Sequence, residues 1–296
     1  MKSVIVITGC SSGIGRLIAE TLARKGFQVF ATMRAVQDRN ANAARELCEL
    51  AERESLSLRV LELDVTDGAS VERAVTVVLA QTDRIDVLIN NAGYALQGVT
   101  EACTLEQVQR ILNTNFLGAV RMNRAILPHM RLQGSGLLVH ISSGAGRMAL
   151  PGLGFYSASK FALEALAEAY HYELAPQGID SVIVEPGAFP TALFENTEHA
   201  ADSSRASAYG SGKELAKRIF AALSSSRDDP QEVANCVLRL IETPPGNRPL
   251  RVRVGSHVEA FSRLNDYSEQ LLTGFLDAMG VAPLTRFRNN RRLFDF

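Results

Sequence analysis

The sequence predicts a doubly wound α/β domain, a mostly parallel sheet of about seven strands with helices on both faces. Three observations carry that expectation. Short runs rich in Val, Ile and Leu recur with little polar alternation, as strands buried on both faces require. Longer segments with apolar residues at three- and four-residue intervals separate them, the mark of amphipathic helices. A glycine-rich turn, Thr8-Gly9-Cys10-Ser11-Ser12-Gly13-Ile14-Gly15, lies between the first such run and the first helical segment. Strand–helix alternation repeated this often places neighbouring strands parallel through right-handed crossovers.

Taken in order, strands are expected at 4–8, 28–32, 58–63, 87–90, 136–141, 181–185 and 250–254, and helices at 14–25, 43–54, 69–79, 105–131 and 156–175. Thr104 followed by Gln107 reads as a capping box. Asp229, Pro230 and Glu232 read as the opening of another helix. The weakly periodic stretch 193–213, rich in Ala, Ser, Glu and Asp, is expected as a loop, with 192–215 acting as a substrate lid. An amphipathic helix returns over 257–279, with Phe261, Leu264, Tyr267, Leu271, Leu272 and Phe275 on or near one stripe. The Arg- and Phe-containing tail of 286–294 reads as a solvated terminus or a subunit contact. No long linker or repeat intervenes, so 1–296 is expected to be one domain.

Composition narrows the function. The chain has 296 residues, of which 46% are hydrophobic and 21% charged, which excludes a disordered or fibrous protein. Its 31 Lys and Arg against 32 Asp and Glu leave a net charge of -1, so no bulk field favours nucleic acid. Cys10, Cys48, Cys103 and Cys236 are far apart and form no CxxC pair, which points to buried thiols in a reducing compartment. No run approaches the length of a membrane span or a signal-peptide core, so a cytoplasmic protein is expected. The five histidines show no metal-ligand spacing, and no metal is expected.

The turn over Gly9, Ser11, Ser12, Gly13, Ile14 and Gly15 stands where a dinucleotide pyrophosphate needs glycines. One serves the tight turn, and others allow close backbone approach at a helix N-terminus. NAD-binding folds of this kind carry an acid at the end of the second strand for the ribose 2′-hydroxyl. Here the segment ends Phe30-Ala31-Thr32-Met33-Arg34, and the guanidinium of Arg34 suits a 2′-phosphate instead. NADP(H) is therefore expected over NAD(H), with Asp38 as the nearby residue that opposes this reading. Asp64 and Val65 end the third strand, and Asn91, Ala92 and Gly93 follow the fourth, at the strand ends where such folds bind ligands.

Tyr156 and Lys160 stand at i and i+4, which on a helix puts both on one face. Their functional reading is a phenol general acid/base, lowered from a pKa of about 10 toward 7 by the neighbouring ammonium. Ser143 lies just past the strand Leu137-Leu138-Val139-His140-Ile141, where a hydroxyl can hold a substrate carbonyl oxygen; Ser142 competes for that duty. Asn115 falls in mid-helix, where asparagine has poor propensity, and a buried hydrogen-bonding duty or a solvent-facing position both fit.

These motifs together resemble the short-chain dehydrogenase/reductase family, in its compact single-domain branch with a Rossmann-type sheet. The match is carried by Thr8-Gly9-x-x-x-Gly13-Ile14-Gly15, Asn90-Asn91-Ala92-Gly93, Asn115, Ser143, Tyr156-x-x-x-Lys160 and Pro186-Gly187. The resemblance implies Tyr156 as proton donor and acceptor, Ser143 on the carbonyl, and Lys160 on the phenol and the nicotinamide ribose. It also implies Asn115 in a water relay, and Pro186, Gly187 and Thr191 beside the nicotinamide. Thr8–Gly15, Ala31–Arg34 and Tyr156–Leu163 are similar to NADP-preferring hydroxysteroid and retinol dehydrogenases, which implies a bulky apolar alcohol or carbonyl substrate. Pairing through the helices of 105–131 and 156–175 implies a homodimer or homotetramer. The contrasting reading is a non-catalytic NADP(H)-binding sensor, which predicts a gap in the catalytic set. A nucleotide-sugar epimerase fits the glycine spacing poorly, and a serine hydrolase lacks a G-x-S-x-G elbow.

Overall fold

The computed structural model describes residues 2–256 and 259–287. The chain opens with β1 (Val4–Thr8), α1 (Gly13–Arg24), β2 (Gln28–Met33), α2 (Ala41–Arg53), β3 (Leu58–Glu62), α3 (Gly68–Thr82) and β4 (Val87–Asn90). It continues through β5 (Leu96–Gln97), α4 (Leu105–Leu112), α5 (Gly118–Gln133), β6 (Gly136–Ile141), α6 (Gly154–Leu174) and β7 (Ile179–Pro186). The last third holds α7 (Ala192–Glu195), β8 (Glu198–His199), α8 (Ser203–Ser207), α9 (Ser211–Ser224), α10 (Gln231–Glu242), β9 (Arg251–Val254) and α11 (Glu259–Ala278).

Seven strands form one sheet in the order β3-β2-β1-β4-β6-β7-β9, and every pair in it is parallel. Side chains alternate between two buried faces. Ile5, Ile7, Val29 and Ala31 point into a core shared with α1, α2 and α10. Val4, Val6, Phe30 and Leu88 point into a second core built with α3 and α5. Both layers are apolar, which is why the strand sequences show no polar alternation. The strand order reverses between β1 and β4, and at such a switch point the loops leaving the carboxyl ends part to form a crevice.

Three expectations need correction. The helix expected over 105–131 is interrupted by a π-helical turn at Asn113–Leu117, which contains Asn115. The segment 193–213 is not a plain loop. It forms α7, β8, α8 and the start of α9, and β8 pairs with β5 as a small parallel sheet. Local pairing and caps from Thr191 and Asp202 supply the order that apolar periodicity did not announce. The helix after Asp229 opens at Gln231, with Pro230 just before it and the Asp229 carboxylate accepting from the Gln231 N–H at 2.9 Å. The expected helix over 257–279 appears as α11. Its stripe is divided: Phe261 is buried, while Leu264, Tyr267, Leu271 and Phe275 are exposed. His257 and the tail from residue 288 lie outside the described residues. Among the described residues, no helix is long and apolar enough to cross a membrane.

Candidate active site

The site begins with how the first turn is held. Gly9 and Gly13 adopt φ of +74 and +57, in the left-handed region that glycine tolerates. A Cβ on Gly9 would stand 2.8 Å from the Ala92 Cα, and one on Gly15 only 2.3 Å from the Asn91 Nδ2. Asn91 Nδ2 donates to the carbonyl oxygens of Thr8 and Gly9, while Thr8 Oγ1 accepts from the N–H groups of Asn91 and Ala92. The glycine turn is thus stitched to the end of β4, and neither side has room for larger residues. Ser12 caps α1 without a side-chain hydrogen bond, and no acid lies in the first turn of that helix. Its N-terminal N–H groups and positive dipole end therefore suit an anion.

A cleft of about 1420 Å³ runs from this turn across the strand ends. Of the sequence-derived candidates, Gly9, Ser11, Ser12, Gly13, Ile14, Gly15, Arg34, Asp64, Val65, Asn91, Ala92 and Gly93 all line it. Ser143, Tyr156, Lys160, Pro186, Gly187 and Thr191 line it as well. Asp64 Oδ1 accepts from the N–H and hydroxyl of Thr66, and Thr191 faces Gly13 across the cleft. Arg34 is joined there by Arg39, which the sequence reading passed over, and Asp38 is not among the lining residues. The signal for Arg39 was present, a second cation five residues beyond the first, but only the turn after β2 brings the two to one wall.

The chemical end is assembled by β6 and α6. Ser143 follows β6 and caps the short turn Gly144–Gly146, its Oγ accepting from the Ala145 N–H at 3.2 Å. Ser142, its rival, also borders the cleft but is buried, and its hydroxyl proton is engaged by Glu164 Oε1. Tyr156 and Lys160 lie on one buried face of α6, as the i, i+4 spacing expects, at 7% and 5% exposure. Lys160 Nζ donates to the Ile141 carbonyl oxygen at 2.8 Å and lies 5.9 Å from the Tyr156 ring centre. Burial lowers the lysine to about 8, against the upward pull of Glu164, so the ammonium survives at neutral pH. Burial also raises the Tyr156 phenol above its ordinary value, with the Ser143 hydroxyl acting in the opposite sense. That corrects the expectation of a phenol brought toward 7. In this arrangement the ammonium is bound to a carbonyl, and desolvation of the phenolate dominates.

Asn115 does not line the cleft. It is buried at 2% exposure, Oδ1 accepting from the Tyr94 N–H while Nδ2 donates to the Tyr94 carbonyl and to Ser159 Oγ. Ser159 Oγ in turn donates to the Tyr156 carbonyl oxygen at 2.7 Å, so Asn115 ties the π-helical turn to α6. This excludes the solvent-facing alternative for Asn115. Both of its amide hydrogens are engaged within the protein, leaving Oδ1 as the side-chain atom with a lone pair for any water.

The far end of the cleft is apolar. Leu150, Leu153, Phe194, Phe220, Leu223 and Phe261 line it, and the rings of Phe194 and Phe220 meet edge-on at 5.5 Å. Phe220 and Leu223 lie on α9, beyond the expected lid boundary of 215, so the cover extends to residue 224. The signal for both was present, since Ala216, Phe220 and Leu223 recur at i, i+4 and i+7, but no helix was expected over 211–224.

Comparison with known proteins agrees with this geometry. A family model described as short chain dehydrogenase matches residues 3–202. A 3-ketodihydrosphingosine reductase from Bacteroides thetaiotaomicron is 34% identical, over 86% of this chain and 89% of its own length. Human 17-beta-hydroxysteroid dehydrogenase type 1 is 36% identical, over 82% and 75% of the two chains. A short-chain dehydrogenase from Streptomyces avermitilis superposes with a TM-score of 0.78 at 33% identity, covering 95% of this chain and 98% of that one. An alcohol dehydrogenase from Thermococcus sibiricus, complexed with 5-hydroxy-NADP, is 26% identical with a TM-score of 0.69, over 87% and 97% of the chains. A short-chain dehydrogenase from Burkholderia phymatum, in complex with NAD, shares the fold at 22% identity and TM-score 0.75, over 92% and 95%.

Proposed function

The chain belongs to the short-chain dehydrogenase/reductase family, oxidoreductases of alcohol and keto groups that use a nicotinamide cofactor, and on that premise we propose NADP(H)-linked interconversion of a bulky apolar secondary alcohol and its carbonyl. The observation that carries this reading is the meeting of Ser143, Tyr156 and Lys160 with the glycine turn in one cleft. A dinucleotide fits the residues present: the Gly9 and Gly15 positions admit no Cβ, and the start of α1 carries no competing acid. When bound, the nicotinamide supplies or accepts the hydride.

The protein's own groups do the rest. Ser143 Oγ donates to the carbonyl oxygen and holds it beside the phenol. Tyr156 Oη delivers the proton in reduction and takes it back in oxidation. A raised phenol pKa keeps that proton on the oxygen at neutral pH, which suits the donor role. Lys160 offsets the negative charge that develops when the proton leaves, and with it holds the nicotinamide ribose. Asn115 takes part in a proton relay through Oδ1 or its backbone carbonyl. Arg34 and Arg39, exposed on the wall after β2, favour the 2′-phosphate of NADP(H) through charge-assisted hydrogen bonds. The aromatic cover of Phe194 and Phe220 favours a large apolar substrate, in keeping with the 3-ketodihydrosphingosine and the 17-beta-hydroxysteroid in the relatives' names. Leu105, Leu117 and Phe161 remain exposed on the α4, π and α6 segments, where pairing into a homodimer or homotetramer would cover them.

The test is a screen of steroid, retinoid and long-chain keto compounds followed by NADPH absorbance. Tyr156→Phe should lower turnover by ~10²–10⁴ on any substrate found, with NADPH affinity nearly intact. Undiminished turnover by the phenylalanine variant would remove the mechanism, and NADPH binding with no turnover on any carbonyl would favour a sensor.

A further inference from the structure

Glu164 extends the row of Tyr156 and Lys160 by one more helical turn on α6 and is 1% exposed. A carboxylate in so dry a place needs partners, and the structure shows several. Oε1 accepts from Ser142 Oγ at 2.7 Å, and Oε2 lies 3.4 Å from Arg251 Nε and 3.8 Å from Arg147 Nε. A Cβ on Gly146 would stand 2.6 Å from Ser142 Oγ and 2.7 Å from Glu164 Oε1. The turn that begins at Ser143 therefore closes directly over this hydrogen bond. Further out, Arg251 also meets Glu168 Oε2 at 2.7 Å and Glu185 Oε1 at 3.5 Å. Asn265 of α11 donates to Glu185 Oε2 at 2.7 Å and accepts from Arg147 Nε.

We propose that Glu164 is a positioning residue for this active site. Its carboxylate anchors Ser142, and through it the turn bearing Ser143, and it sets a carboxyl one helical turn from the Lys160 amine. The proposal rests on the roles assigned above to Ser143, Tyr156 and Lys160.

The charges around both groups support it. Lys160 faces Tyr156 and Glu164 on its own helix, the Ile141 carbonyl of β6, and Asn115 across Gly93. Of these only Glu164 is a carboxylate, and it raises the lysine against the burial that brings it to about 8. Glu164 itself faces Ser142, Arg147 and Arg251; Glu185 approaches the same Nε of Arg251, and Glu168 meets its Nη2. Burial raises Glu164 above the ordinary carboxylate range, while the Ser142 hydroxyl and both guanidiniums act in the opposite sense. Glu185 is pushed up as well, to about 7, by burial and by the charge on Glu164.

Two variants of the full-length enzyme separate the two duties. Glu164→Gln keeps the size and an oxygen acceptor for Ser142 but removes the charge. Its kcat/KM profile should lose its alkaline limb about one pH unit earlier, a five- to tenfold deficit at pH 8–9 with little change near pH 6. Glu164→Asp keeps the charge but withdraws the oxygen from Ser142. Its limb should stay in the wild-type position while kcat falls several-fold and KM changes less. A folded glutamine variant whose profile superposes on wild type overturns the proposal. If that variant does not fold, a folded aspartate variant with wild-type kcat overturns it. Tyr156→Phe is run alongside: an active phenylalanine variant refutes the underlying reading, whereas an inactive one with an unshifted glutamine profile refutes only the role of Glu164.

Discussion

The strand-end half of the cleft and its cover are built in different ways. At the strand ends, Thr8, Asn91 and Gly9 are locked by backbone register and reciprocal hydrogen bonds, and the layers beneath them are fully buried. In the cover, α7 and α8 bury no residue fully and α9 buries one, Ala216. The first region holds geometry whatever ligand arrives. The second is held by a few apolar contacts, a two-residue strand pair and partly exposed polar contacts such as Gln107 and Arg110 on Glu198, and tolerates change at less cost to the fold. On the proposed function, cofactor handling and proton transfer would stand on the first part and substrate choice on the second.

That contrast can be broken experimentally, beginning with its strongest consequence. Gly15→Val would drive a side chain into Asn91 and the Gly9 carbonyl, and NADPH affinity should fall by at least ~100-fold, read by fluorescence titration. Near-normal affinity would mean that the turn is not rigid.

Arg34→Ala should weaken NADPH by roughly 10- to 100-fold and leave NADH almost unchanged, the loss of charge-assisted bonds to one phosphate. Equal losses for both cofactors would remove the arginine from 2′-phosphate recognition.

The sheet should also carry an acid sensitivity of its own. Burial pushes His140 of β6 down to about 3. Below about 6.5 the unfolded chain takes up a proton that the folded imidazole refuses, so this group costs up to ~1.4 kcal/mol of stability per pH unit as pH falls toward 3. Urea unfolding at pH 7, 6 and 5 should show the decline, and an H140N variant should show a shallower one. An unchanged slope in the variant would clear His140.

The smallest effect belongs to the cover. Phe220→Ala should raise KM for an apolar substrate about fivefold, the loss of ~1 kcal/mol of apolar contact, while Tm and NADPH affinity stay put. A several-degree drop in Tm would show that the cover is part of the core after all.

Much of this was legible in the chain. Strands 4–8, 87–90 and 136–141 fall where the apolar runs placed them, because two-sided burial leaves an unbroken Val/Ile/Leu signal. Tyr156 and Lys160 meet on one helical face because a spacing of four is a geometric property of any helix. The π-helical turn at Asn115 was not legible, since its side chain is satisfied by Tyr94 and Ser159, far away in sequence. Nor were the short elements of 192–207, whose order comes from caps and a two-residue strand pair rather than from periodicity.

Local rules acting over a few residues were enough to determine the strands, the glycine turn and the tyrosine–lysine row, since each is a short-range consequence of sterics or helical repeat. Tertiary structure alone decided which polar groups are dry. Whether a phenol stands above or below its ordinary pKa, or a glutamate can hold a serine and an arginine together, depends on the elements that close over it. Those elements, β9 and α11 over Glu164 and Glu185, come from the far end of the chain. Desolvation and charge pairing act through space, and no local pattern encodes them.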